Sequence, residues 1–255
     1  MLPYRPAILS ASLGRAWLHD FDKKVKSAAK YGFEAIEIFY EDLEYVARSR
    51  AGSENPPTDT QLLEAAAHIK LLCDSLHLTV LGLQPFHFYE GLLDRAEHER
   101  LITKIKLWFR FAHALGTNTI SIPANFLPED KLTGDMNVIV ADLRKLADMG
   151  LREEPPVRFA YESLCWSTHI DTWEKAWAVV KGVDRSNFGL CLDTFNIAGR
   201  VWADPASVTG KTPNADADLA ESLKRLVKEV PLEKVYYIQV VDAERLEKPL
   251  LKDHE

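Results

Sequence analysis

Nearly continuous apolar runs alternate with amphipathic stretches along the chain. The runs Ala7–Ser12, Ala35–Phe39, Leu78–Leu83, Thr119–Pro123, Val157–Glu162, Phe188–Asp193 and Val235–Val241 are short, and several are rich in β-branched residues. They suit parallel strands covered by helices, which need no polar face. Between them apolar positions recur at helical spacing: Leu62, Ala66, Ile69, Cys73 and Leu76; Leu101, Ile105, Phe109 and Ala112; Trp177 and Val180; Leu219, Leu223, Leu226 and Val230. Each set predicts the buried stripe of one helix. Thr58 with Gln61 has the spacing of a capping box, in which each side chain satisfies a free backbone N–H. Asp94 with Glu97 and Asp171 with Glu174 predict acidic helix starts, with Asp171 as the cap of its helix.

This repeated order predicts right-handed βαβ units in a parallel sheet. No GxGxxG or GxxxxGK[ST] motif follows the first strand, so a doubly wound nucleotide-binding sheet fits less well than an α/β (β/α)8 TIM barrel. Seven strands are recognisable and an eighth is missing. The expectation is therefore an incomplete barrel forming one domain over residues 1–255. Its first and seventh strands would keep unpaired edges, which predicts a homo-oligomer through those open edges and a less stable, impaired chain.

Composition narrows the function. With 47% hydrophobic residues the chain can build a large core. Its 31 basic and 38 acidic residues leave a net charge of −7, and no Lys/Arg cluster exceeds a pair. That disfavours a nucleic-acid partner. No apolar run is long enough for a membrane span, and no basic n-region with an apolar h-region opens the chain. Cys73, Cys165 and Cys191 form neither a disulfide framework nor a CxxC motif. Together these features predict a cytoplasmic protein in a reducing compartment, with no membrane partner.

In α/β barrels chemistry sits where strands emerge at their C-terminal ends. Glu162 and Asp193 close the fifth and sixth strands, and Gln239 lies in the seventh. Oxygen ligands from neighbouring strands suit a hard divalent cation such as Mg, Mn or Co. A strand-end acid can equally cap the next helix, and Asp193, followed by Thr194-Phe-Asn, fits that alternative well. Gln239 is harder to explain structurally, because an unpaired amide in an apolar strand costs about 1–3 kcal/mol. His87 and Asn125 follow the third and fourth strands and His169 the fifth; for each, an ordinary loop role stands beside a catalytic one. Trp166 is placed to wall a pocket, Trp173 and Trp177 to fill helix core. His68, His98 and His113 read as helix surface or packing residues. Glu37 is a charge inside a strand, suited to a pocket or to an Arg partner.

Several segments together resemble the fungal-type 3-dehydroshikimate dehydratases, members of the sugar-isomerase-like metal TIM barrels. They are Ser12-Leu-Gly-Arg, Ile36-Glu-Ile-Phe-Tyr-Glu-Asp-Leu, Leu83-Gln-Pro-Phe, Ile122-Pro-Ala-Asn-Phe-Leu, Tyr161-Glu-Ser-Leu-Cys-Trp-Ser, Cys191-Leu-Asp-Thr-Phe-Asn-Ile-Ala-Gly-Arg and Tyr237-Ile-Gln-Val-Val-Asp-Ala-Glu. The resemblance implies a lyase that dehydrates 3-dehydroshikimate to protocatechuate in quinate and shikimate breakdown. It implies a divalent metal on Glu162, Asp193 and Gln239; a fourth ligand, a Glu on the eighth strand, has no counterpart. Related bacterial members carry a His three residues after the metal Asp, where this chain has Asn196. Arg200 matches the family motif and is implied to hold the substrate carboxylate by bidentate hydrogen bonding. His87, with its useful unperturbed pKa, is the candidate acid/base. Asn125, Trp166 and Asn196 are candidate substrate contacts. Two alternatives stand beside this reading: a sugar isomerase or epimerase on the same barrel, and an inactive barrel remnant.

Overall fold

The computed structural model describes residues 4–251. Seven parallel strands follow chain order: β1 (Ala7–Leu9), β2 (Ala35–Phe39), β3 (Thr79–Gln84), β4 (Thr119–Pro123), β5 (Arg158–Glu162), β6 (Phe188–Asp193) and β7 (Val235–Gln239). The helices are α1 (Phe21–Lys30), α2 (Tyr40–Ala51), α3 (Asp59–Ser75), α4 (Arg95–Leu115), α5 (Met136–Gly150), α6 (Trp173–Val183), α7 (Thr194–Val201) and α8 (Ala215–Glu229). Among the described residues no helix is long and apolar enough to cross a membrane. The chain divides into two compact units, 4–86 with 99–121 and 149–158, and 87–98 with 122–148 and 159–251.

In the first unit, Ala7 to Leu9 pair with Ala35 to Glu37, and Phe39 reaches Gln84. The predicted capping box forms: the Thr58 hydroxyl accepts from Gln61 N, and Gln61 Oε1 accepts from Thr58 N at 2.8 Å. Behind it Leu62, Ala66, Ile69 and Cys73 are buried as the stripe predicts. Glu37 is buried in β2, in register with Leu9 and Gly82. A second buried charge, Lys24 on α1, meets Asp42 on α2 at 2.6 Å. The first strand is shorter than its apolar run predicts. Ser10 Oγ takes the Phe39 N–H at 2.9 Å, and the chain curls into a 3-10 turn over Ser10–Leu13.

In the second unit, Phe159 to Tyr161 pair with Phe188 to Leu190, and Cys191 to Asp193 pair with Tyr237 to Gln239. Strand β6 is buried along its whole length. Two expectations are corrected here. Asp171 does not cap α6; Thr172 does, accepting from Lys175 N, while Asp171 turns to Lys175 Nζ at 2.6 Å and to Arg200. The buried face of α8 is Ala215, Ser222 and Leu226, with Val230 buried just past its end and Leu223 exposed. A polar contact sets that rotation: Trp173 Nε1 donates to Ser222 Oγ at 2.9 Å, so a serine occupies the inner face.

Candidate active site

The site belongs entirely to the second unit. Strands β5, β6 and β7 end on Glu162, Asp193 and Gln239. Tyr161 pairs with Leu190, so Glu162 shares a face with Cys191. Asp193, two residues on, returns to that face and pairs in register with Gln239. Glu162 and Asp193 are buried, and Gln239 is half-buried.

Asn196 ties the two carboxylates together. Its Nδ2 donates to Glu162 Oε1 at 2.9 Å, and its backbone N donates to Asp193 Oδ1 at 2.8 Å. Its own Oδ1 accepts from Cys165 N at 3.0 Å, which fixes the amide orientation. Asp193 is thus the N-cap of α7 and, through Asn196, one bond from Glu162. Burial pushes the Asp193 carboxyl above its usual range, against the opposing pull of the Asn196 and Phe195 backbone N–H groups. Helix α7 approaches this closely because residue 199 is Gly: a Cβ there would stand 2.5 Å from Cys165 Sγ.

The other candidates are held by contacts of their own. Arg200 Nε lies 3.1 Å from Asp171 Oδ2, so an acid from the loop after β5 orients the guanidinium. Trp166 is half-exposed and meets the Phe195 ring edge-on at 6.2 Å. His87 lies beside the rings of Phe88 and Phe126, at 5.2 and 6.0 Å. Asn125 is buried with its side chain engaged: Nδ2 donates to the Glu90 carbonyl at 2.9 Å and Oδ1 accepts from Leu127 N at 3.1 Å.

Sequence reasoning missed Glu90. This carboxyl is 2% exposed, and its Oε1 accepts from Asn125 N at 2.7 Å and from the Tyr161 hydroxyl at 3.0 Å. Burial is the largest cause pushing it up to about 7; the Asn125 and Tyr161 hydrogen bonds oppose the rise, and the Asp142 carboxylate adds to it. The one sequence signal was an acid in an otherwise aromatic stretch, Phe86-His-Phe-Tyr-Glu90.

No group of three His, Cys, Asp or Glu side chains gathers as a metal centre among the described residues. The donor set is instead two buried carboxylates and an amide on adjacent strand ends. Oxygen donors alone match a hard divalent cation. The raised Asp193 shows that burial opposes its bare charge, a cost that a bound cation offsets. The residues present fit such an ion.

The profile of the xylose isomerase-like TIM barrel family matches residues 25–255. The chain belongs to that family. A 3-dehydroshikimate dehydratase of Neurospora crassa is 51% identical over 258 residues, which cover 99% of this chain and 72% of the relative. A 3-dehydroshikimate dehydratase of Pseudomonas aeruginosa is 29% identical over 90% of this chain, which spans 30% of that longer protein. Among solved structures, the IolI protein with a bound zinc atom superposes with a TM-score of 0.68 at 21% identity, covering 98% of this chain and 77% of its own. At that identity the likeness speaks for the fold.

Proposed function

We propose that this chain dehydrates 3-dehydroshikimate to protocatechuate, a step in quinate and shikimate breakdown. The observation that carries the reading is the 51% identity to the Neurospora crassa dehydratase across 99% of the chain. The strand-end oxygen set agrees with the chemistry such a reaction needs.

Glu162, Asp193 and Gln239 would hold a divalent cation of the Mg, Mn or Co type. When bound, it supplies Lewis-acid polarisation of the substrate ketone, which acidifies the adjacent C–H. Asn196 keeps Glu162 and Asp193 in fixed relation, so the donors need little rearrangement. His87 takes the C4 proton and returns it to the C5 hydroxyl, which leaves as water. Tautomerisation of the resulting ring gives the catechol, and the atoms balance as substrate to product plus one water. Arg200, oriented by Asp171, holds the ring carboxylate, and Trp166 walls the ring. Asn125 and Asn196 border the substrate, with their amides already engaged on the Glu90 and Glu162 sides.

The test follows protocatechuate absorbance with residues 1–255 and 3-dehydroshikimate, with and without chelator, beside parallel assays on ketose sugars. The expected result is protocatechuate formation that chelator abolishes and Mn²⁺ restores, and that Asp193→Ala lacks. Chelator-insensitive formation, turnover of ketoses alone, or no product overturns the assignment.

A further inference from the structure

Two buried polar atoms on the loops after β3 and β5 have no protein hydrogen-bond partner: Oε2 of Glu90 and Nε2 of His169. Both residues line one small cavity of about 10 Å³, together with Gly91, Asn125, Thr133 and Ile170. That is room for about one water molecule, and a buried water needs at least two polar partners. The cavity supplies them from two different loops.

Each side chain is confined on one side. Glu90 is held by its other oxygen, which takes the Asn125 N–H and the Tyr161 hydroxyl. The ring of His169 lies against residue 134, where a Cβ would stand 3.1 Å from Nδ1 and only Gly leaves ordinary room. The flanking Thr168 is anchored to the loop after β4, its N–H donating to the Asn125 carbonyl at 3.3 Å and its hydroxyl to the Leu127 carbonyl.

We propose that this cavity binds a single water that bridges Glu90 Oε2 to His169 Nε2, making both positioning residues for the segment that carries Trp166 and Asp171. Around Glu90 stand the Tyr161 hydroxyl from β5, the His169 ring and, from α5, the Asp142 carboxylate. Asp142 itself holds Arg95 from α4 at 2.6 Å. His169 precedes Asp171 by two residues, and Asp171 orients Arg200. The bridge would therefore set where Arg200 presents its guanidinium. Only this last consequence, for substrate binding, rests on the dehydratase reading.

The test reads amide hydrogen exchange over residues 163–172 in the full chain, with Trp166 fluorescence as a second reporter. His169→Phe fills the cavity and removes the acceptor; it should speed exchange in this segment about tenfold or more while leaving the 90–127 region unchanged. Glu90→Leu should loosen both segments, and Glu90→Gln, which still reaches the water and both Oε1 donors, should restore the segment to within about twofold of the parent. A high-resolution crystal structure should show one solvent peak between Oε2 and Nε2. If dehydration is measured, His169→Phe should raise KM several-fold and change kcat little. Unchanged exchange in His169→Phe, failure of Glu90→Gln to rescue, or direct contact of the two side chains without a water overturns the proposal. The expected exchange changes in a parent chain that forms no protocatechuate would instead count against the dehydratase reading and leave the proposal standing.

Discussion

Two buried-acid sites, one in each compact unit, are built in different ways. In the first, Asp42 meets Lys24 at 2.6 Å, with both side chains almost fully buried. In the second, Asp193 and Glu90 are buried too, yet the partners of their carboxylates are backbone N–H groups and a phenol. The first arrangement balances charge: the Lys24 ammonium answers Asp42 Oδ1, although Asp42 Oδ2 has no hydrogen-bond partner. The second answers the acids only in part, and both carboxyls rise above their ordinary range. An acid buried without a cation either keeps a proton or awaits a positive ligand. Glu90, enclosed under the loops, suits the proton. Asp193, at a strand end beside Glu162 and Gln239, suits the ligand.

The sharpest way to break this contrast is to convert the first arrangement into the second. Lys24→Ala leaves Asp42 buried without its cation and should cost about 3–5 kcal/mol, read as a fall in the denaturant midpoint. A loss under about 1 kcal/mol would show that solvent reaches Asp42 and that the two sites do not differ. The next test removes the charge from Glu90. Its folded pKa of about 7 lies above an unfolded value near 4.5, so the stabilising proton is fully present below pH 4.5 and lost as pH rises through 7. Glu90→Gln should flatten that dependence, and the protein should gain about 3 kcal/mol at pH 8 relative to its position at pH 4. An unchanged pH profile would refute the enclosed, protonated carboxyl. The smallest effect belongs to an exposed pair of the first unit, Arg5 and Glu34 at 2.9 Å. Arg5→Gln should cost under about 1 kcal/mol, which shows that burial rather than pairing sets the scale.

The apolar pattern reported the strands well where the chain is buried on both sides. β2, β4 and β6 run from Ala35 to Phe39, Thr119 to Pro123 and Phe188 to Asp193, as their runs predict. It reported them less well where a side chain replaces the ladder. Ser10 does so after β1, and after β7 the Thr194 hydroxyl takes the Val241 N–H at 2.9 Å, so the run to Val241 ends as strand at Gln239. Glu162, Asp193 and Gln239 were legible because a polar residue ending an apolar run stands out. Asn196 was legible as a position, but its bridging role comes from the geometry of α7 and the loop at Cys165. Glu90 was not legible. Its burial is created by Asn125 and Tyr161, 35 and 71 residues away, and no local periodicity records that.

The most direct measurement of the central claim, that the strand-end carboxylates of β5 and β6 hold a divalent cation, is a calorimetric titration with Mn²⁺. The parent chain should bind one ion, and at a hundredfold excess over Kd the ion should add about 2.7 kcal/mol to stability. Glu162→Gln with Asp193→Asn should abolish both the heat and the stabilisation while leaving the fold intact by circular dichroism. Equal Mn²⁺ binding by parent and double variant would contradict the account.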